Sequence, residues 1–251
     1  MEMNRAEIIA WLLEGDPAIQ YQTRCDLLHE DSAVLSDLKN RIAEAGWGRA
    51  FLKRQQPDGH WGRAFYQPKW TSSHYTLVDL RNLCIPATPE IKKALALILA
   101  TSIGPDGGIN PSKDIEQSDV CINGMFLNYG CYFGTDEEKL RSVVDFIVSQ
   151  QLADGGFNCR LNRSGARHSS MHSTISVLEG IREYIVAGYA FRAEELNRIE
   201  GEAQEFLLRH RLFKSDHTGA VIHPSFLKLV YPPRWRYDIL RALDYFQSVG
   251  Y

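Results

Sequence analysis

The chain has 251 residues, a formal net charge of -3, and 44% hydrophobic against 24% charged residues. That balance is too apolar for a disordered chain. It also lacks the basic field that nucleic acid or an anionic membrane surface requires. Five cysteines (Cys25, Cys84, Cys121, Cys131, Cys159), with no CxxC among them, fit free thiols better than a disulfide framework, so a reducing cytoplasm is expected.

Met1 to Arg5 and the short apolar run from Ile8 to Leu13 are too charged and too brief for a secretion signal. The longest apolar stretch, Ala94 to Ala100, falls far below the ~20 residues of a membrane span. The first predicted helices cover roughly 4–14 and 17–29, the second starting at Pro17, a residue suited to a first turn. A short apolar stripe follows at Trp47, Phe51 and Leu52. Longer ones run through Ile91, Ala94, Leu95, Ile98 and Leu99, then Leu140, Val143, Val144, Ile147 and Val148, then Leu196, Ile199, Ala203, Phe206 and Leu207. All have helical spacing with charges opposite, as outer helices should. Between them lie more uniformly apolar segments at roughly 72–83, 118–132, 170–187 and 235–247. Ser72, Ser73, Ser118, Asp119, Ser169 and Ser170 are N-cap candidates for the first three. The aromatics Trp11, Trp47, Phe126, Tyr129 and Tyr132 lie in helical stripes and are expected in the core. Nothing shows the period-2 alternation of a strand. The prediction is an all-α single domain over 1–251, built of about five helical hairpins.

Each outer stripe leads into a turn, and the turns repeat. Gln55-Gln56-Pro57-Asp58-Gly59-His60-Trp61, Ile103 to Ile109 and Gln151 to Phe157 carry Asp58, Asp106 and Asp154 at a constant spacing of 48 residues. The glycines Gly59, Gly107 and Gly155 follow the same spacing. A looser fourth copy, Asp216 to Val221, comes 62 residues after Asp154. A fixed period of this length marks a repeat architecture. The Asp and Gly of the turn are read as structural, Asp bonding the turn and Gly supplying positive φ.

Gln55-x3-Gly59-x-Trp61 and Gln151-x3-Gly155-x-Phe157 resemble the Q-x3-G-x-W/F repeats of the prenyltransferase and squalene-cyclase superfamily. The resemblance covers about residues 45–225 and implies an α/α toroid, with inner and outer helix rings around a central cavity that handles isoprenoids. The chain is shorter than most members of that superfamily, so the ring would either close with five hairpins instead of six or not close. Parallel inner helices put their N-termini on one rim, a favourable place for an anion such as a diphosphate.

Titratable and polar residues gather at these predicted helix starts. Trp70 and His74 follow the first turn, Asp119, Cys121 and Asn123 the second, His168 and His172 the third, and Arg234, Trp235, Arg236, Tyr237 and Asp238 the fourth. Asp119-Val120-Cys121 with His172 resembles the zinc site of the protein prenyltransferase β subunits, although Ile122 stands where that family usually has Tyr. The resemblance implies a zinc that activates a thiolate or water. The plain alternatives are an N-cap for Asp119, a small buried hydrophobe for Cys121 and a carbonyl-bonded histidine for His172. His168 is open between a fourth ligand, a base and neither.

Protonation-initiated cyclisation, the superfamily's other chemistry, uses an Asp-rich run that the chain lacks. Asp114-Ile115-Glu116, Asp119 and Asp238 are the nearest acids. Arg234 and Arg236, with Arg160, Arg163 and Arg167 as weaker candidates, suit a diphosphate. The expected function is therefore a prenyltransferase- or terpene-cyclase-like protein that binds an isoprenoid diphosphate or other apolar ligand. His74, Trp70, His168, Arg234, Arg236 and Tyr237 would bind substrate, and Asp119, Cys121, His172 and Asp238 would carry chemistry. The competing expectation is a non-catalytic scaffold binding a protein or small ligand in the same concavity. A carbohydrate-active toroid would want paired inward carboxylates, for which only Asp119 and Asp238 are placed.

Overall fold

A computed structural model describes residues 4–112 and 115–251. The protein is all-α, and among the described residues β structure is limited to two isolated bridges, Ile103 to Ile109 and Lys214 to Val221. No helix among the described residues is long and apolar enough to cross a membrane. The chain divides into two compact units, Met1–Ala96 and Leu97–Tyr251, the division falling inside one helix.

The first unit holds α1 (Arg5–Leu13), α2 (Pro17–Gln22), α3 (Ser36–Glu44), α4 (Gly46–Leu52), α5 (Ser73–Asn82) and the start of α6 (Pro89–Thr101). Asn4 caps α1 with a reciprocal box: Glu7 N–H donates to Asn4 Oδ1 (3.1 Å) and Asn4 N–H to Glu7 Oε2 (2.8 Å). The predicted helix over 17–29 is shorter, because after Gln22 the chain passes into a π-helical turn, Thr23–Leu27. The periodicity missed α3 altogether. That helix is mostly polar and buries a single residue, Ile42, which is too little for a readable stripe.

The second unit holds α7 (Val120–Tyr132), α8 (Glu137–Ser149), α9 (Leu161–Ser164), α10 (Met171–Val186), α11 (Ala193–Arg209) and α12 (Ile239–Ser248). The predicted alternation holds for α7, α8 and α11 but not for α12, expected as a uniformly apolar inner helix, which is strongly amphipathic and buries Arg241, Ala242, Tyr245 and Phe246. The α8 and α11 helices are strongly amphipathic and bury the stripes from Leu140 and Leu196, whereas α7 is apolar all round and buries most of its length. The closest helix pairing is α7 against α10, where two glycines face each other. A Cβ on Gly124 would lie 2.4 Å from the Ser176 carbonyl oxygen, and one on Gly180 2.4 Å from the Gly124 carbonyl oxygen. Only glycine lets the two backbones come so near.

The last helix begins four residues later than the sequence pattern indicates. Pro232 and Pro233 precede it, and Asp238 holds an extended φ of -150° while its Oδ1 accepts from Arg241 N–H at 3.0 Å, so the helix starts only at Ile239. Phe126 and Tyr129 are in the core as expected. Trp11 and Trp47 are not: they are 64% and 55% exposed.

Candidate functional site

The three regular turns share one bonding scheme. Gly59, Gly107 and Gly155 have φ of 99°, 82° and 94°. In each turn the glycine N–H donates to the carbonyl three residues back, at 2.9, 3.0 and 2.9 Å. The apolar residue two positions on is then tied by its N–H to a polar side chain in the first turn of the following helix. Trp61 donates to Ser73 Oγ (3.0 Å), Ile109 to Asn123 Oδ1 (2.6 Å) and Phe157 to Thr174 Oγ1 (3.0 Å). Asn123 also returns a hydrogen bond from Nδ2 to the Ile109 carbonyl (3.1 Å).

The turn aspartates complete the joint. Asp106 accepts from Ser118 N–H and Oγ, both at 2.7 Å, and Asp154 accepts from Ser169 N–H at 2.8 Å and from Ser169 Oγ. Ser72, Asp119 and Ser170 stand at N-cap positions, yet none makes a side-chain cap bond; in the second and third turns Asp106 and Asp154 brace the helix approach instead, whereas Asp58 accepts from His60 N–H within its own turn (2.9 Å). Gln55 and Gln151 close their turns by donating to Gly59 O (2.9 Å) and Gly155 O (3.0 Å). The Q-x3-G spacing is thus a side-chain-to-backbone clamp.

The fourth copy departs from this scheme. Its bridge, Lys214 to Val221, encloses one residue more than Ile103 to Ile109, and Gly219 N–H donates four residues back, to Ser215 O at 2.8 Å. Asp216 braces no serine. Its Oδ1 lies 3.5 Å from His210 Nε2 and 3.7 Å from His217 Nε2.

Beside this altered turn, within the second unit, lies a cavity of ≈ 1330 Å³. Five of the chain's eight histidines line it: His168, His172, His210, His217 and His223. Arg209, Lys228 and Arg236 add fixed positive charge, and Met171, Phe206, Phe226 and Trp235 are among its apolar walls.

His172 is the best-defined of these groups. Its ring lies 5.1 Å from Trp235 and 5.4 Å from Phe226, centroid to centroid. Tyr237 N–H donates to His172 Nδ1 at 2.7 Å. A backbone N–H can only donate, so Nδ1 must carry a lone pair and the neutral ring holds its proton on Nε2. Burial first, then the charges of Arg241, His223 and Arg236, push the His172 pKa down to about 4. Near neutral pH this side chain is a neutral hydrogen-bond donor.

The other predicted residues fall into three groups. His168 and Arg236 line the cavity and are exposed. Tyr237 and Asp238 also line it, but their polar atoms serve the fold. The Tyr237 hydroxyl donates to Leu212 O at 2.5 Å, and Asp238, 2% exposed, accepts backbone N–H from Arg241 and from Val230 (2.8 Å). Arg241 locks this corner from α12 with a bidentate pair to Glu179 (2.7 and 2.6 Å) and a bond to Arg236 O (2.9 Å). Arg234, at a φ of 53°, is not a lining residue.

Trp70 and His74 belong to the first unit. His74 is fully buried against Phe65, Tyr66 and Tyr75, its pKa pushed down to about 3 by burial and then by Lys69. Trp70 is half-exposed beneath Lys69 Nζ, 5.0 Å from its ring centroid. Asp114 and the Arg163 side chain lie outside the described residues, and Glu116 is exposed.

Asp119, Cys121 and His172 do not fit a shared metal ion. Among the described residues no group of three or more His, Cys, Asp and Glu is placed to hold one. The tautomer argues the same way: a ligating imidazole usually donates its second N–H, whereas His172 accepts at Nδ1 and carries its proton on Nε2. Cys121 is engaged with a different partner. Its backbone N–H donates to Cys159 Sγ at 3.2 Å, and the hydrogen bond its thiol makes to Cys159, followed by burial, raises its pKa.

Sequence reasoning missed His210, His217, His223 and Arg209 as lining groups. The signal for the first two was the imperfect fourth turn itself, since His217 sits inside it and His210 just before it. No protein-family model matches the chain, and no curated protein matches it significantly.

Proposed function

We propose that the protein is an α/α toroid of the prenyltransferase and squalene-cyclase type that binds a ligand with an anionic head and an apolar body, of the isoprenoid diphosphate class, in the cavity of the second unit. The toroid reading is supported by the conserved bonding of three turns at a constant period and by the alternation of amphipathic and uniformly apolar helices. The observation that carries the ligand reading is the cavity wall: aromatic and aliphatic side chains beside Arg209, Lys228 and Arg236. Guanidinium groups bind phosphate oxygens through paired N–H donors, and a volume of this size accommodates a long hydrocarbon.

In this reading His172 contributes Nε2–H as a neutral donor to an anionic or carbonyl oxygen, held in direction by the Tyr237 N–H behind it. No step requires a metal. Asp238 acts as a helix cap and not as a proton donor, so protonation-initiated cyclisation has no acid at this position.

Calorimetric titration of the full chain with farnesyl diphosphate, farnesol and inorganic diphosphate tests the proposal. Binding of farnesyl diphosphate at least tenfold tighter than either part alone, weakened about tenfold in Arg236→Ala by loss of a charge-assisted contact, is the expected result. Failure of all three to bind, or equal binding of the alcohol and the diphosphate, would count against it. Product analysis after incubation then separates an enzyme from a binding protein.

A further inference from the structure

We propose that Cys159 and Cys121 form a modification site, a dithiol that hydrogen peroxide converts to a disulfide. The pair lies in the second unit, 38 residues apart in sequence, where the loop after the third turn meets the first turn of α7. Three donors converge on Cys159 Sγ: the Cys121 backbone N–H at 3.2 Å, the Ser173 hydroxyl at 3.3 Å and the Cys121 thiol. The loop is anchored for this contact, because Cys159 N–H donates to Ser173 Oγ at 3.1 Å.

Such a set of donors stabilises a thiolate, and a helix N-terminus adds to it. The Cys159 thiol accordingly lies below its ordinary value, the bond from Cys121 outweighing burial and the opposing charge of Asp119. Cys121 is shifted the other way, raised by the same bond and by burial. One sulfur is therefore the nucleophile and its neighbour the resolving thiol. Both residues are half-buried. By contrast, burial raises the thiols of Cys131 and of Cys84, the latter to about 11.

The chemistry balances with peroxide as the oxidant. The Cys159 thiolate attacks one peroxide oxygen, the O–O bond breaks, and a sulfenic acid forms with release of hydroxide, which takes up a proton to give water. Cys121 sulfur then attacks the sulfenic sulfur, the S–O bond breaks, and the second water leaves with the Cys121 proton. Two thiols and one peroxide give one disulfide and two waters.

The test exposes the full native chain to hydrogen peroxide, then counts thiols after unfolding and maps disulfides by mass spectrometry without reduction. Two of the five thiols should disappear, with one cross-linked peptide pair containing Cys121 and Cys159, restored by dithiothreitol. In Cys121→Ser, Cys159 should stop at a sulfenic acid that dimedone traps. In Cys159→Ser, Cys121 should keep its thiol. Ser173→Ala should slow the reaction about fivefold by removing one donor to sulfur. Unchanged thiols, oxidation spread over all five cysteines, or Cys159 over-oxidised beside an intact Cys121 in the unsubstituted protein would each overturn the proposal.

Discussion

The second and third turns and the fourth turn begin with the same Asp-x-x-Gly or Asp-Gly vocabulary and put it to opposite uses. In the former, Asp106 and Asp154 each grip a serine at the head of the next helix, and Asn123 or Thr174 ties the turn to that helix from inside. In the latter the turn is longer by one residue, the following helix is capped by its own Asp238, and Asp216 faces His210 and His217 at the cavity. A joint relieved of holding a helix is available to line a pocket. Regularity marks the scaffold, and the departure at the fourth turn lines the cavity together with the Asp154–Ser169 brace of the third turn.

That contrast makes ordered predictions. Asn123→Ala should be the most damaging change, costing about 3 kcal/mol in denaturant unfolding, because it leaves a buried Ile109 N–H and C=O without their partner. A result below ~1 kcal/mol would break the idea that the second turn is held by this side chain.

Acid should act next, through the helix head that follows the first turn. His74 is fully buried with a pKa near 3, below the 6.5 of an ordinary histidine. Below pH 6.5 the unfolded chain takes up a proton that the folded chain refuses. The stability this represents is present in full above pH 6.5 and is lost as pH falls, at up to about 1.4 kcal/mol per unit, or about 2 kcal/mol by pH 5. Unfolding at pH 7 and pH 5 should show that loss in the natural protein and a clearly smaller one in His74→Gln; equal losses in both would contradict it.

Asp154→Ala should cost about 1 kcal/mol, the value of a charge-assisted brace on Ser169. Asp216→Ala should change stability by less than ~0.5 kcal/mol, since its contacts are half-exposed and loose. A reversed order for these two aspartates would remove the distinction between the turns.

Much of the scaffold was legible because period and burial coincide. The stripes from Leu140 and Leu196 are core in the structure, and the turn glycines have the positive φ their spacing demanded. The helix α3 was not legible, since one buried isoleucine makes no stripe, and neither was the exposure of Trp11 and Trp47, which sequence hydrophobicity alone cannot distinguish from burial. The site was legible in part. His168, His172 and Arg236 reach the cavity. Cys121 and His172, brought together by a family resemblance, face different partners, Cys159 and the Tyr237 N–H. His223 was out of reach because nothing in its local sequence distinguishes it; only the folding back of 210–238 gathers it with His172.

The central claim, that the altered fourth turn frames a binding site, is tested most directly by a crystal structure of the full chain with farnesyl diphosphate. The account predicts ligand density in the cavity between His172 and the 216–236 segment, with the diphosphate against Arg236 and an oxygen within hydrogen-bond distance of His172 Nε2. Density in another place with this cavity empty, or a diphosphate directed away from Arg236 and His172, would contradict it.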